Sequence, residues 1–331
     1  MLRILHDTKY DFIRWWRVAA GLTIAFIVIG LIALGFERGF NYSVDFTGGT
    51  VMQLTFTTAP DVAKLRASLD ASGAKGAELA QFGDVKEYIV RVQGDTSASG
   101  AEKASQTVKQ AVTGVVGADG FKVQRTEIVG PRVGAELRRG AMLAILVSFA
   151  ITLAYLAYRF EWRFGLAAII ATMHDILATV AFIAMLRLEI SLTVVAGLLT
   201  VIGYSLNDTI IIFDRVRENL RKNRREPLYD TLNRSVNETL PRSVLTHATV
   251  LMSTLALLIF AGEVIRPFAW VMAFGVFTGT FSSIYVASPI LMYIETRWPR
   301  DIDGKGKPAT PVAPAGGSGK KPRATAGSGA R

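Results

Sequence analysis

The chain has 331 residues, half of them hydrophobic (50%), with a mean hydropathy of +0.34 and a formal charge of +10 at pH 7. Its apolar residues fall in long runs, a membrane signature rather than that of a soluble core. Cysteine is absent, which excludes disulfides, thiolate catalysis and cysteine-ligated metal. The three histidines, His6, His174 and His247, have no ligand spacing, so neither a metal nor a cofactor is expected. In a membrane chain a basic excess is read first through its placement in loops, and no nucleic-acid partner is expected.

Residues 1–17 form a basic flank with Arg3, Lys9, Arg14 and Arg17. The first apolar run, 18–36, is long for a signal-peptide core and lacks a small-residue cleavage pattern, so it reads as an uncleaved spanning anchor. Residues 37–139 read as a soluble domain. "TVMQLTFTT" places Met52, Leu54 and Phe56 on one face at strand period. "PDVAKLRASLDASG" has Pro60 at a helix start and Gly73 at its end. "AELAQFG" and "KEYIVRVQG" read as strands. "GAEKASQTVKQAVTGVVG" reads as a helix with Val108, Val112, Val115 and Val116 on one side, and "GFKVQRTEIVG" as a last strand. The order β-α-β-β-α-β is the split, ferredoxin-like arrangement of an α+β domain.

Five more apolar runs follow, near 140–158, 164–186, 192–213, 244–262 and 268–294. The expected fold is therefore an α-helical polytopic membrane protein with six transmembrane helices and one extramembrane ferredoxin-like domain. Residues 214–243 are expected to be a basic loop, and residues 295–331 a disordered basic tail rich in Gly, Pro, Ala and Lys. Lys and Arg crowd the amino-terminal flank, the turn at Arg159 and Arg163, the 214–243 loop and the end of the last span. The alternate loops carry only Arg187 and Arg266. This asymmetry puts both termini in the cytoplasm and the 37–139 domain outside.

Asp208 lies within the fourth run, where a carboxylate costs at least about 2.5–3.5 kcal/mol. Arg242 stands just inside the fifth, beside Pro241 at an expected helix start. Adjacent antiparallel helices bring the two to similar depth, where a pair would offset part of each charge's desolvation. Arginine keeps its proton. Asp208 is then the candidate proton carrier and Arg242 its modulator. Arg242, Thr246, Thr249 and Ser253 form one polar stripe, expected to face a shared interior to which His174 and Asp175 of the third run add protonatable groups. Gly275 and Gly279 have the spacing of close helix packing. At the borders of the soluble domain, Gly48 and Gly49 follow Asp45 in "VDFTGGT", and Gly130 and Pro131 open "VGPRVGAEL". Both read as turn chemistry. A single six-span half buries its polar face poorly, which argues for an obligate partner.

These stretches, with His174–Asp175, "GYSLNDTIIIFDRVREN", "LPRSVLT" and "SSIYVASP", resemble the SecD/SecF family of bacterial protein-export membrane subunits, on its SecF side. The resemblance implies half of a bundle of the resistance-nodulation-division (RND) type in the bacterial inner membrane. It implies SecD as partner, supplying six further spans, and work beside the SecYEG channel and other Sec accessory proteins. It also implies use of the proton-motive force to move or release an unfolded polypeptide on the outer side. Asp208 and Arg242 match the positions that the family implicates in proton transport. Two other readings stay open: a stand-alone small-molecule exporter acting as a homodimer, and a non-transporting scaffold of the channel complex. No nucleophile–base pair, phosphate loop or metal motif suggests an enzyme.

Overall fold

The computed structural model describes residues 8–299, apart from 37–38, 75, 82–83, 95–96, 224 and 263. The expected disordered tail therefore lies, beyond residue 299, outside the described residues. Among the described residues, six helical segments are long and apolar enough to cross a membrane, and one small α+β domain, the head, is inserted between the first two.

The head begins with a short helix, α2 (Val44–Thr47), which follows the first span, α1 (Trp16–Phe36). Strand β1 (Gly49–Phe56) comes next, then α3 (Val62–Ala71), β2 (Glu78–Gln81), β3 (Glu87–Gln93), α4 (Ala98–Val116) and β4 (Phe121–Val129). The sheet is antiparallel with order β2-β3-β1-β4, so the two hairpin-distant strands β1 and β3 are central. Alternation along β1 sends Met52, Leu54 and Phe56 to one face, where they meet Leu65 and Leu69 of α3 and Val108 and Val112 of α4. Helix α3 starts at Val62, two residues later than Pro60 suggests. The Asp61 side chain caps it, accepting from the Ala63 and Lys64 amides, and a capped start outweighs the proline signal.

The bundle consists of α1, α5 (Pro131–Arg159), α6 (Trp162–Met185), α7 (Leu192–Lys222), α8 (Leu228–Phe260) and α9 (Arg266–Ser282). The last continues through a π-helical segment, Ser283–Ala287, into α10 (Ser288–Arg297). Pro289 has no amide hydrogen to continue the ladder, which accounts for the irregular turn before it.

Three borders differ from the sequence expectation. Helix α5 starts at Pro131, a favoured first helical residue, so the last part of the expected soluble domain is the first turns of a span. Helix α7 runs on to Lys222. Helix α8 starts at Leu228, so most of the expected 214–243 loop is helical and Pro241 lies inside a helix. The physical reason is packing. Val216, Leu232 and Val236 sit in one apolar cluster with Ile13, Phe164, Phe213 and Leu291, so these extensions bury a face despite their charged residues. Two asparagines reinforce it. Asn233 Oδ1 accepts from the Ile13 amide at 3.0 Å and Asn237 Oδ1 from the Tyr10 amide at 2.9 Å, tying the amino-terminal segment along α8. Asp214 is half-exposed and pairs with Arg159 at 2.9 Å.

The α7–α9 contact is close because small residues allow it. A side-chain carbon added at Gly275 would overlap Val201, and one at Gly279 would lie 3.0 Å from the Ser205 Cβ.

Where the head meets the bundle, the two glycine-bearing borders pack on each other. Gly48 (φ +80°) and Gly49 (φ +156°) turn the chain from α2 into β1, in conformations that side chains rarely adopt. A side-chain carbon added at Gly134, in the first turns of α5, would lie 2.9 Å from the Phe46 carbonyl oxygen of α2. Gly130 is the cap position of α5 and Pro131 its first residue. Asp45 Oδ2 accepts from the Leu192 amide at the start of α7 at 3.4 Å. The α6–α7 loop also exchanges backbone hydrogen bonds with the segment after α1, Ser43 N to Ile190 O at 2.9 Å and Ile190 N to Asn41 O at 2.7 Å.

Candidate functional site

Two aspartates are buried in the apolar bundle. Asp175 of α6 is 1% exposed and Asp208 of α7 is 2% exposed. A buried carboxylate needs donors around it, and the helices supply them mainly as serines.

Around Asp175, the Ser205 hydroxyl of α7 and the Ser282 hydroxyl of α9 both donate to Oδ2, the latter at 2.7 Å. His174 Nδ1 lies 3.0 Å from Oδ1 and is the donor when the carboxylate is ionised. That leaves His174 Nε2, which is buried without a hydrogen-bond partner among the described residues and borders an apolar crevice of about 530 Å³ between α1 and α10. Beside this group the Thr209 and Ser283 hydroxyls are 2.8 Å apart, joining α7 to the π-helical segment.

Around Asp208, the Ser243 hydroxyl of α8 donates to Oδ1, while Oδ2 is buried with no partner among the described residues. His247, one turn beyond Ser243, is buried, and its Nδ1 donates to the Ser243 carbonyl oxygen at 2.5 Å. The Tyr204 ring meets its imidazole edge-on, centroids 5.3 Å apart. Ser205 and Asp208 are one turn apart on α7, so this helix joins the two carboxylate sites.

The expected contact between Asp208 and Arg242 is absent from the described chain. Depth is as expected, since Ser243 reaches Asp208. Direction is not: successive helical residues point about 100° apart, and Arg242 is the exposed neighbour of the residue that faces α7. Thr246, Thr249 and Ser253 are exposed with it, as are Thr200 and Asn207 of α7, so the stripe faces outward and not the shared interior expected of it. The bundle therefore presents a polar stripe headed by an arginine on the outer surface of apolar helices.

Sequence reading missed Ser243 and Ser205 as carboxylate partners, and His247 behind Ser243. The available signal was spacing: Ser243 and His247 are four apart, and Ser205 precedes Asp208 by three.

A family model for the SecD/SecF GG motif matches residues 34–60, and one for the C-terminal part of the protein export membrane proteins SecD/SecF matches residues 107–297. The chain is 59% identical, over 91% of its length and 91% of the other, to the protein translocase subunit SecF of Gemmatimonas aurantiaca. The chain belongs to the SecF family of protein translocase subunits. The SecF of Vibrio alginolyticus is 39% identical over 88% of this chain and 92% of its own. Among solved structures, the chain is similar to SecDF from Thermus thermophilus, a translocon-associated membrane protein, with a TM-score of 0.73 and 35% identity. The match covers 90% of this chain but 40% of that one. SecDF in its super-membrane-facing form gives a TM-score of 0.67 and 37% identity over 89% of this chain and 40% of that one. As a SecF-family member the chain is a multi-pass membrane subunit of the protein-export machinery, and it spans about 40% of the SecDF chains it resembles.

Proposed function

We propose that this subunit couples the proton-motive force to the movement or release of exported polypeptide, with Asp208 carrying the proton. The observation that carries the reading is the Asp208 carboxylate itself, 2% exposed among apolar helices with one oxygen held by Ser243 and the other unpartnered among the described residues. A purely structural carboxylate at this depth would be expected to have both oxygens satisfied. Asp175 and His174 are proposed as a second protonatable site on the same route, reached across α7 through Ser205.

The partner proposed is a SecD half. The exposed stripe of Arg242, Thr246, Thr249 and Ser253 supports it, because a guanidinium left against lipid is costly and one facing a second bundle is not. Arg242 then modulates Asp208 from this partner-facing surface. The pair is proposed to work beside the SecYEG channel in the bacterial inner membrane, with both termini cytoplasmic and the head on the outer side, in keeping with the loop arginines. No specific observation favours the small-molecule exporter reading.

Gradient-dependent export into membrane vesicles containing SecD, wild type against Asp208→Asn at equal expression, tests this. Asparagine keeps size and polarity but does not cycle a proton. Loss of the gradient-dependent part is the expected result. Unchanged export would leave the scaffold reading in its place.

A further inference from the structure

A second pair of carboxyl groups lies outside the membrane helices, where the head rests on the bundle. Glu189 sits in the α6–α7 loop, which is pinned by the Asn41–Ile190 and Ser43–Ile190 backbone bonds. From there its carboxyl faces the same cavity as that of Glu78 on β2. Glu78 in turn accepts from Arg91 Nη1 of β3 at 2.8 Å. These groups border a cavity of about 280 Å³ that Arg66 and Asp70 of α3 also line. Asp45 of α2 is the remaining charge acting on Glu189. Arg187, in the same loop, donates to the Gly39 carbonyl oxygen at 3.2 Å.

Two carboxyl groups hydrogen-bond to each other only if one holds a proton, since ionised carboxylates only accept. Arg91 neutralises one negative charge of the pair and leaves the other. The cavity joins separate bodies: Glu78 and Arg91 belong to the head sheet, Glu189 to the loop that starts α7, the helix carrying Asp208.

We propose that Glu189 and Glu78 share one proton and latch the head onto the α6–α7 end of the bundle, closed when the proton is bound and loosened when it leaves. Burial, with the Glu78 carboxyl and its charge, pushes the Glu189 carboxyl up to about 8 from its ordinary 4.5. A raised value in the closed form means that the latch contributes fully below about 4.5 and is lost as pH rises through about 8. In the proposed orientation the junction faces outward, so an acidic exterior holds the latch closed. The latch itself rests on the junction geometry and not on the role of Asp208.

The absence of native cysteine makes the test direct. Spin labels at Lys109→Cys on α4 and Phe260→Cys at the head-side end of α8 report the head-to-bundle distance by pulsed electron paramagnetic resonance. The chain is assembled with a cysteine-free SecD half in nanodiscs and measured from about pH 5 to about pH 9. One short distance is expected at the acidic end, with a second, longer one growing in around pH 8. Glu189→Gln keeps a hydrogen bond without a titrating proton and should stay closed throughout. Distances that ignore pH, or a response that survives in Glu189→Gln, overturn the proposal. Should Glu189→Gln not assemble, infrared difference spectra of the wild type read the protonated carboxyl directly. Its titration should move to lower pH in Glu78→Gln, and a band indifferent to that change also overturns the proposal. Neither readout needs a gradient or export, so Asp208→Asn leaves both intact and the two ideas fail separately.

Discussion

The Ser243 hydroxyl of α8 donates to the Asp208 carboxylate of α7, and His247, one turn on, donates to the Ser243 backbone carbonyl. The hydroxyl reaching Asp208 and the imidazole behind it thus belong to one helical turn, so a small rotation of α8 changes the whole environment of the carboxylate. Ser243→Ala leaves both carboxylate oxygens without a donor among the described residues. A buried acceptor left unpaired costs about 1–3 kcal/mol. Thermal unfolding of the detergent-purified complex should show a lowered midpoint, and Ser243→Thr, which keeps the hydroxyl, should restore most of it.

The two serines at Asp175 share one acceptor atom, Oδ2. Their removal should therefore be non-additive. Ser205→Ala and Ser282→Ala are each expected to destabilise, and the double variant to differ from their sum by roughly 0.5–3 kcal/mol, the range for residues in one network. A double-mutant cycle on unfolding free energy measures this. Strict additivity would mean that the serines do not share the carboxylate.

Arg242, Thr246, Thr249 and Ser253 lie on one exposed face of α8. A cysteine introduced at Thr249 or Ser253 should crosslink to a SecD half carrying cysteines on the facing surface. One at Val147 of α5, 53% exposed on an apolar face, should not. Equal crosslinking at all three positions would remove the assignment of the polar stripe to the partner.

Helix contact at Gly275 is tight enough that one methyl group matters. Gly275→Ala forces Val201 to move, and overpacking of this kind costs about 1–3 kcal/mol. Gly21→Ala, in open space on α1, is the control and should be neutral or slightly stabilising. Gly49→Ala should be worse than either for the head, because the added carbon would overlap the Val92 carbonyl oxygen and the backbone φ of +156° disfavours a side chain. Amide exchange of β1 and β3 reads that loss locally.

Much of this architecture is legible from period and composition. Alternating Met52, Leu54 and Phe56 mark a half-buried strand, and unbroken apolar runs mark spans, because both signals are local. Helix borders near charged residues are less so. The 214–243 stretch looks like a basic loop until Val216, Leu232 and Val236 are seen packing together, since only the cluster of distant residues reveals their shared face.

The carboxylates follow the same division. By itself the sequence determined that Asp175 and Asp208 lie at membrane depth and that Arg242 stands level with Asp208, because depth follows from counting residues along a helix. Only the tertiary structure decided who touches whom. Contact depends on the rotation of each helix about its axis, and one residue is worth about 100°. That rotation is set by packing such as Gly275 against Val201. It turns Ser243 toward Asp208 and Arg242 away, and no local pattern in the chain records it.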